Sequence, residues 1–556
     1  MINVLEYLEN TAKKYPKKIA AIDNKESCTY EELLNKSKEI GTTLAMETNV
    51  RKPIVVFMDK SVKTLQIFMG IVYAGCFYTL VDPTFPKERI KQILDILETS
   101  IVITSNKNVE KLLSCGYSKK IITIDNLFNA KKDVKKDIDK EKNINIENNI
   151  SIEKDEKLSA IGSKKETHKI DNKIEIFNDN NALESIRNNM IDTDPLYCNF
   201  TSGSTGTPKG VLISHRSVID FIDNFTEIFG ITDKDVIGNQ APFDFDVSVK
   251  DIFSCLKTGA TLVIIPKSYF MFPNSVVDML DKYNVTTLIW AVSALILLVR
   301  MHSLKYKTPK SIDKILFSGE MMPIKQLNKW RKYYKDAMFV NLYGPTEITC
   351  NCMYHIIDNN KEYELDEKIP LSNSFPNEKV FLLSDKDKEI TKDMVDKCGE
   401  ICVAGTSLAL GYYNNIEATK KSFVNNPLVK KYREKIYRTG DLAYYDKDGM
   451  LIFAGRKDFQ IKHMGHRIEL EEIESVLSSV NLVEQGCCFF DEIKNKVVAF
   501  YVGKDDKKAI ITEMKNKVPD YMLPNVFRCV KKIPLNKNGK MDRKLLKKMY
   551  REENNK

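Results

Sequence analysis

Short apolar runs alternate with amphipathic segments along most of the chain. Before residue 129, apolar runs at 54–57, 101–103 and 121–124 are separated by helical patterns at 30–43 and 87–97. The alternation returns after residue 194, in the apolar runs 261–265, 286–290, 314–317 and 337–342. Strands that alternate with helices predict a mainly parallel sheet with helices on its faces.

Later sections of the chain follow other patterns. Residues 399–453 are dense in short apolar runs and glycine turns, which predicts a β-rich subdomain. An amphipathic helix within 465–480 is followed by apolar runs at 486–490 and 496–502 and by a helical pattern at 506–517. These last elements predict a small α+β unit that is large enough to form its own domain.

We therefore predict an α/β protein with two domains. The N-terminal domain, 1–457, contains two α/β subdomains and the β-rich subdomain, and the C-terminal α+β domain is 458–556. Residues 129–194 are rich in Lys, Asp, Glu, Asn and Ile and poor in aromatics, so they bury too little apolar area to offset their ordering entropy. We expect a solvated surface insertion there, with an interaction tail as the alternative.

Composition adds few constraints. The chain has 556 residues, 43% hydrophobic and 29% charged. Its net charge of +9 is spread over a long chain with nearly balanced signs, and ordinary surfaces and the lysine-rich 129–194 stretch account for the lysine surplus, so we expect no nucleic-acid partner. The N-terminus lacks a secretory pattern, and the longest apolar run, 287–299, is too short to cross a membrane. We expect a cytoplasmic protein, without membrane insertion, whose twelve cysteines are reduced.

The sequence TSGSTGTPKG at 201–210 is the first candidate for chemistry. It follows an extended stretch and precedes a probable strand, 211–214. Glycines let a backbone approach an anion closely, while hydroxyls, free N–H groups and a lysine surround phosphate oxygens. The loop lacks the Gly-Lys-Ser/Thr ending of a Walker loop. The predicted phosphate-binding residues here are Thr201, Ser202, Gly203, Ser204, Thr205, Gly206 and Lys209.

This loop resembles the signature of the adenylate-forming superfamily, which comprises acyl-CoA synthetases, luciferases and the adenylation domains of non-ribosomal peptide synthetases. Further motifs follow in that family's order over essentially the whole chain outside the insertion. CTYEEL at 28–33 and YAGCFYTLVDPTFP at 73–86 resemble its first two motifs, which are structural. The resemblance implies a mobile C-terminal domain and an enzyme that uses ATP and Mg²⁺.

NLYGPTE at 341–347 lies at the end of a predicted strand, where open α/β sheets bind ligands. The resemblance implies that Tyr343 stacks on adenine, Thr346 reaches the α-phosphate and Glu347 coordinates magnesium, with Asn341 and Gly344 also at the nucleotide. A carboxylate combined with phosphate oxygens is a ligand set that Mg²⁺ prefers.

Three residues in the next motifs are similar to nucleotide-binding and hinge residues of the family. Asp441, in YRTGD, would accept hydrogen bonds from both ribose hydroxyls, because an ionised carboxylate is an acceptor only. Arg456, in GRKD, would contact the ribose or a phosphate. Asp458 resembles the hinge residue at which the C-terminal domain turns.

Lys540, in NGKMDR near the C-terminus, resembles the family's mobile lysine, which contacts the substrate carboxylate and the phosphate. Attack of the carboxylate on the α-phosphate builds charge on oxygen, so a well-placed cation stabilises the transition state. The predicted catalytic residues are Lys540, Thr205 and Glu347.

Asp246 indicates the class of acid. FDFDVSV at 243–249 resembles the segment of amino-acid adenylation domains whose aspartate pairs with the substrate's α-ammonium, and Asp244 is the competing assignment. A carboxylate in an apolar pocket costs several kcal/mol unless it is paired. By matching positions, the rest of the pocket is Val247, Lys250, Ile289, Leu316, Ser318, Leu342, Cys350 and Asn351.

The pocket leaves the amino acid open. Residues 318–320 and 458–462 look most similar to D-alanyl carrier protein ligases, yet Lys250 is unusual for a small apolar substrate. Lys250 would pair either with an acidic or polar substrate side chain or with Asp246, Asp251 or solvent.

The second half of the reaction needs a thiol. The resemblance implies that the C-terminal domain rotates and brings the 464–466 loop to a pantetheine tunnel, where Gly465 leaves room for the arm. No phosphopantetheine attachment segment follows Lys540. We therefore expect a separate carrier protein, with coenzyme A as the other acceptor, and a monomeric enzyme. The rival functions are an acyl- or aryl-CoA ligase of the same fold and an inactive relative that acts as a binding protein.

Overall fold

The structure is a computed structural model that describes residues 1–128, 180–203, 206–535 and 541–554. Two large sheets, each mainly parallel, form most of it. The nine-stranded sheet has the order β15-β14-β13-β12-β11-β9-β10-β1-β2. Its strands are β1 (Ile19–Ile22), β2 (Ser27–Thr29), β9 (Val236–Asn239), β10 (Thr261–Ile264), β11 (Thr287–Ala291), β12 (Lys314–Ser318), β13 (Met338–Tyr343), β14 (Met353–Ile356) and β15 (Asn373–Ser374).

The second sheet has seven strands in the order β19-β8-β7-β4-β3-β5-β6. They are β3 (Pro53–Phe57), β4 (Phe77–Leu80), β5 (Ile101–Thr104), β6 (Lys120–Thr123), β7 (Pro195–Thr201), β8 (Lys209–Ser214) and β19 (Gly411–Tyr412). The antiparallel pair β7–β8 belongs to this sheet and ends at the TSGSTGTPKG loop, 201–210, which we call the phosphate loop.

Helices connect the strands of both sheets, as the 3.6-residue periodicity predicts. In the first half of the chain they are Leu5–Lys14, Tyr30–Ala45, Val62–Tyr73, Lys87–Leu97, Asn106–Ser114, Asn180–Asn188, His215–Ile228 and Val247–Thr258. Farther along they are Pro273–Lys282, Val292–Arg300, Ser303–Tyr306 and Ile324–Tyr333, with 3₁₀ helices at Lys267–Met271 and Thr346–Ile348. Local sequence explains individual boundaries: Thr29 and Glu32 form a capping box where helix Tyr30–Ala45 begins.

The β-rich section is a six-stranded antiparallel sheet in which β22 pairs with β21. Its strands are β16 (Glu378–Leu383), β17 (Glu389–Ile390), β18 (Gly399–Gly405), β20 (Phe423–Asn425), β21 (Lys435–Tyr445) and β22 (Leu451–Arg456), with a helix at Ile416–Ser422. A continuous core of buried apolar side chains runs from the two large sheets into this section.

The C-terminal part has apolar clusters of its own. Its strands are β23 (Gln460–His463), β24 (His466–Glu469), β25 (Val483–Asp491), β26 (Lys496–Gly503) and β27 (Val526–Cys529). Its helices are Leu470–Ser478, Lys507–Lys515 and Arg543–Asn554, with a 3₁₀ helix at Asp520–Met522. The α/β class predicted from the alternation is confirmed, and the strands form two mainly parallel sheets.

The stretch predicted as an insertion at 129–194 has two parts. Residues 129–179 lie outside the described residues. Residues 180–194 belong to the fold, because helix Asn180–Asn188 buries Leu183, and Asp194 pairs with Arg51 at 2.6 Å. No helix of the described chain is long and apolar enough to cross a membrane.

Candidate active site

The phosphate loop lies between the antiparallel strands β7 and β8. Thr201 lies opposite Lys209 in the antiparallel pair, and the Gly206 N–H donates to the Gly203 carbonyl at 2.9 Å. A Cβ on Gly203 would lie 2.1 Å from the Thr207 carbonyl oxygen, so no larger residue fits there. Ser204 and Thr205, both predicted to bind ATP, lie outside the described residues.

The C-terminal part contacts this loop directly. The Ser202 hydroxyl donates to the carbonyl oxygen of Arg467 at 2.8 Å, and the Gly203 N–H donates to the Glu472 carboxylate at 3.2 Å. Glu472 is also paired with Arg89 at 2.9 Å, and both side chains are buried. In this structure the Glu472 carboxylate accepts from a loop N–H of the kind that donates to phosphate oxygens in anion-binding loops.

The nucleotide-binding candidates lie at the end of β13. Tyr343 is buried, and its hydroxyl donates to one oxygen of Asp441 at 2.5 Å. Arg456 donates to the other oxygen of Asp441, also at 2.5 Å. Asn341 is held by the Pro370 carbonyl at 3.2 Å, and a Cβ on Gly344 would lie 2.5 Å from the Asn351 Cα. The structure thus brings these predicted residues together.

Glu347, the expected magnesium ligand, lies in the 3₁₀ helix Thr346–Ile348 and is 1% exposed. Its Oε1 accepts from the Tyr412 hydroxyl at 2.7 Å, and its Oε2 accepts from Arg467 at 2.6 Å. Burial acts to raise the pKa of Glu347, but the Arg467 guanidinium and the Tyr412 hydroxyl outweigh it, so that pKa is lowered. The carboxylate is therefore ionised at neutral pH.

The predicted hinge residue, Asp458, is paired with Arg456 at 2.7 Å. Its Oδ1 also accepts from the Gln460 backbone N–H at 3.2 Å. Farther along the same hairpin, Lys462 is half-buried and its ammonium lies 5.3 Å from the centre of the Tyr343 ring. A C-terminal cation thus lies beside the candidate adenine residue.

Five of the nine predicted specificity residues line one cavity. Its other lining residues include Gly344 and Thr346 of the 341–347 motif and Lys462 and Arg467 of the C-terminal part. The five are Asp246, Val247, Ser318, Cys350 and Asn351. Burial raises the pKa of Asp246, against a hydrogen bond from Thr346 and the charge of Lys250. A cationic ligand would relieve that cost.

The other four predicted residues do not line this cavity. Ile289, Leu316 and Leu342 are buried in the main apolar core, on β11, β12 and β13. Lys250 is fully buried in helix Val247–Thr258, where its ammonium donates to Asn351 at 2.8 Å and to Ser318 at 3.4 Å. It therefore lies directly behind two of the cavity's lining side chains.

A separate cavity of about 570 Å³ ends at the hairpin between β23 and β24. Met464 and Gly465 form the two-residue turn of this hairpin. Their φ angles are 53° and 81°, and a type I′ turn requires a positive φ at both positions. The Gly465 N–H donates to Glu320 at 2.6 Å, and a Cβ on Gly465 would lie 3.2 Å from the Ala291 side chain. Asp244, the competing assignment for the ammonium partner, lines this second cavity instead.

Lys540 lies outside the described residues. On either side of it, Leu535 and Met541 are joined by an isolated antiparallel bridge. Met541 packs on the C-terminal cluster that contains Phe489 and Leu546. The assigned role of Lys540 therefore stays a prediction.

Sequence reasoning missed several residues of the site: Arg89, Glu320, Tyr412, Lys462, Arg467 and Glu472. All of them contact groups that are remote in the sequence. A sequence signal was available for Arg467 and Glu472. Charged and apolar positions alternate in HRIELEEIE at 466–474, and charges on a half-buried strand and helix need partners.

Comparison with known proteins identifies the family of the chain. The model of the AMP-binding enzyme family matches residues 8–413, and that of the AMP-binding enzyme C-terminal domain matches residues 472–540. Tyrocidine synthase 1 of Brevibacillus parabrevis is 28% identical over 98% of this chain, although the chain spans only 45% of that protein. The D-alanine–D-alanyl carrier protein ligase of Staphylococcus haemolyticus is 27% identical over 98% of both chains.

The fold also has close counterparts among solved structures. The Vibrio cholerae adenylation domain AlmE, solved with glycyl-adenosine-5'-phosphate, superposes with a TM-score of 0.79 over 99% of this chain and 98% of that one, at 18% identity. The family models together cover most of the chain, and their order agrees with the order of the motifs. The chain therefore belongs to the family of AMP-binding enzymes.

Proposed function

We propose that this chain activates an amino acid with ATP and transfers it to the phosphopantetheine thiol of a separate carrier protein. The supporting observation is the position of Asp246. Its buried carboxylate lines the same cavity as Thr346 and Gly344 of the nucleotide segment. An α-ammonium bound at Asp246 would lie beside the nucleotide, as formation of an aminoacyl-adenylate requires.

In the first half-reaction, a substrate carboxylate oxygen attacks the α-phosphorus, and pyrophosphate leaves. Lys540 would stabilise the charge that develops on the oxygens, and the 201–210 loop, with Thr205, would hold the phosphates. Asp441 would bind the ribose, and Tyr343 would stack on adenine. In the second half-reaction, the thiol attacks the acyl carbon, AMP leaves, and the thiol proton passes to solvent.

Glu347 suits a magnesium ion, because an ionised oxygen ligand is what Mg²⁺ prefers. Within the described ranges, no group of three or more His, Cys, Asp or Glu side chains could hold a metal. ATP phosphates and water would therefore supply most of the coordination. When bound, the ion would neutralise phosphate charge.

The domain arrangement suits the second half-reaction. The β23–β24 hairpin lies at the end of the 570 Å³ cavity, and Gly465 leaves that end open. A phosphopantetheine arm entering this cavity would reach the amino-acid pocket, since Phe245 and Gly465 line both cavities. Glu472 meanwhile holds the phosphate loop.

The test is ATP–pyrophosphate exchange with D- and L-amino acids, fatty acids and aryl acids. We expect exchange with an amino acid, and we expect Asp246→Asn to abolish it while Asp244→Asn, in the same segment, retains it. Exchange with fatty or aryl acids alone would favour an acyl- or aryl-CoA ligase, and no exchange at all would favour an inactive relative. Loading of a holo carrier protein, compared with coenzyme A, identifies the acceptor.

A further inference from the structure

The amino-acid pocket has a second polar end, opposite in charge to Asp246. Lys250 follows Asp246 by four residues, so the two lie one turn apart at the start of helix Val247–Thr258. The Lys250 ammonium donates to Asn351 Oδ1 and Ser318 Oγ, and both acceptors belong to side chains that line the cavity.

This end presents hydrogen-bond donors that have no acceptor in the described parts of the chain. An ammonium has three hydrogens, and two of those of Lys250 are used. Asn351 accepts through its oxygen, which leaves its amide N–H groups to donate. Ser318 accepts at Oγ, which leaves its hydroxyl hydrogen to donate.

The charge of Lys250 is also uncompensated by direct contact. Among the described residues its hydrogen-bond partners are neutral. The nearby Asp251 accepts from Asn239 through Oδ2 at 2.6 Å, its Oδ1 has no partner among the residues that the structure describes, and no ion pair joins it to Lys250. Burial lowers the pKa of Lys250, against the attraction of Cys350, Asp246 and Asp251. A buried ammonium with only neutral partners is costly, and an anionic ligand stabilises it.

We infer that the amino acid activated here carries a carboxylate on its side chain. This inference rests on the proposed function. The α-ammonium of the substrate pairs with Asp246, and the side-chain carboxylate accepts from Ser318 and Asn351, with the Lys250 ammonium directly behind both. The α-ammonium and the side-chain carboxylate then each lie near a pocket residue of opposite charge.

A carboxylate matches this end better than other polar groups do. It offers acceptor sites only, whereas a side-chain amide would place its own NH₂ donors against donors. A hydroxyl offers fewer acceptors and no charge. Because Asp246 and Lys250 are one helical turn apart, the two charges of the ligand are only a few bonds apart, as in amino acids with one or two side-chain methylenes.

The wild-type chain provides the first test, in ATP–pyrophosphate exchange with two matched sets. One set is aspartate, asparagine and leucine, and the other is glutamate, glutamine and methionine, each in both enantiomers. We expect kcat/KM for one dicarboxylic acid to exceed that of its amide and apolar analogues by about 10²-fold, as for a lost hydrogen bond to a charged group. An amide or apolar amino acid that equals or exceeds the acid overturns the inference. Exchange with no amino acid would instead overturn the proposed function.

Substitution then identifies the group responsible. In Lys250→Met we expect the preference for acid over amide to fall to about onefold, mainly through a higher KM for the acid. Lys314→Met is the matched control, because Lys314 lies on the same β12 strand as Ser318 and pairs with Asp235 outside the pocket. We expect it to keep the preference. An unchanged preference in Lys250→Met overturns the assignment, and the wild-type panel decides the substrate class even if that variant does not fold.

Discussion

Arg467 donates from its guanidinium to Glu347 at 2.6 Å, so an arginine of the C-terminal part neutralises the carboxylate proposed to hold magnesium. Glu347 is 1% exposed, and a buried carboxylate needs a counter-charge. Arg467 supplies that charge in this domain arrangement, and the metal would supply it during adenylation. The cation that neutralises Glu347 therefore depends on the position of the C-terminal part.

Replacing Arg467 with Gln should slow carrier loading more than adenylation. The substitution leaves Glu347 buried without its cation only in the arrangement seen here. We expect loading of a holo carrier protein to fall by about 10- to 10²-fold, with pyrophosphate exchange changed much less. Arg438→Gln, which removes an arginine from the β-rich sheet, is the control. Equal losses in both half-reactions would contradict this role.

The buried pair Arg89–Glu472 should stabilise the same arrangement. Removing one partner of a buried ion pair costs about 3 kcal/mol or more, so Glu472→Ala should shift the C-terminal part away from the phosphate loop. Cys398, in the β-rich section, and Cys529, in β27, are exposed, whereas the other ten cysteines are buried. A pair of dyes on these two cysteines therefore measures the distance between the two parts of the chain by energy transfer.

The charge-swapped chain, with both Arg89→Glu and Glu472→Arg, is the control for that experiment. We expect it to recover part of the wild-type energy transfer, because the pair is restored in reverse. A double-mutant cycle isolates the coupling. If Glu472→Ala leaves the transfer efficiency unchanged, the pair does not hold the two parts together.

Gly465→Ala should impair thiol transfer. The added Cβ would lie 3.2 Å from Ala291, at the end of the large cavity, and alanine at φ of 81° costs about 1 kcal/mol. Gly116→Ala has a similar backbone cost at φ of 86° with no atom within 4 Å of the new Cβ. We expect slower carrier loading in Gly465→Ala and unchanged loading in Gly116→Ala. An equal loss of loading rate in both variants would show that backbone strain is the cause.

Lys540→Ala should reduce adenylate formation by about 10²- to 10³-fold, because a cation is lost from the transition state. ATP binding should be largely retained, and transfer from preformed aminoacyl-adenylate should be spared. Lys544→Ala, an exposed lysine four residues away, is the control. Undiminished pyrophosphate exchange in Lys540→Ala would refute the assigned role.

Glu378 should make stability depend on pH. Its Oε1 accepts from the Ser407 N–H, its Oε2 has no partner, and burial raises the pKa of Glu378 to about 7 from 4.5. As pH rises, the unfolded chain releases the Glu378 proton near pH 4.5, whereas the native state keeps it until about pH 7. The native state therefore loses stability between about pH 4.5 and about pH 7, and this loss is complete above pH 7.

Glu378→Gln removes this cost. We expect the stability of the variant relative to wild type to be lowest near pH 4.5 and to rise by on the order of 3 kcal/mol by pH 8. Thermal melts across that range measure the difference, with the exposed Glu389→Gln as the control. A difference that is flat with pH would contradict the prediction.

Much of the fold follows from sequence because each strand carries its own signal. The apolar runs at 54–57, 101–103 and 314–317 became β3, β5 and β12. The helix predicted within 465–480 begins only at Leu470, since residues 466–469 pair with β23. A polar, half-buried hairpin has no strong periodicity, so its strands were not predicted.

The site was predictable only in part. Tyr343, Glu347 and Asp441 lie in compact motifs that could be compared one by one. Arg467 and Glu472 act on residues more than a hundred positions away, and their contacts depend on how the C-terminal part is placed. No local pattern encodes that placement.

The hydrogen bond from Gly203 to Glu472 has a consequence for the order of events. One N–H cannot serve a phosphate oxygen and a protein carboxylate fully at the same time, and two anions at one loop repel each other. We expect the C-terminal part to dock as seen here only after pyrophosphate has departed. Departure of the first product would then act as the signal that admits the thiol, which gives the two half-reactions a fixed sequence in time.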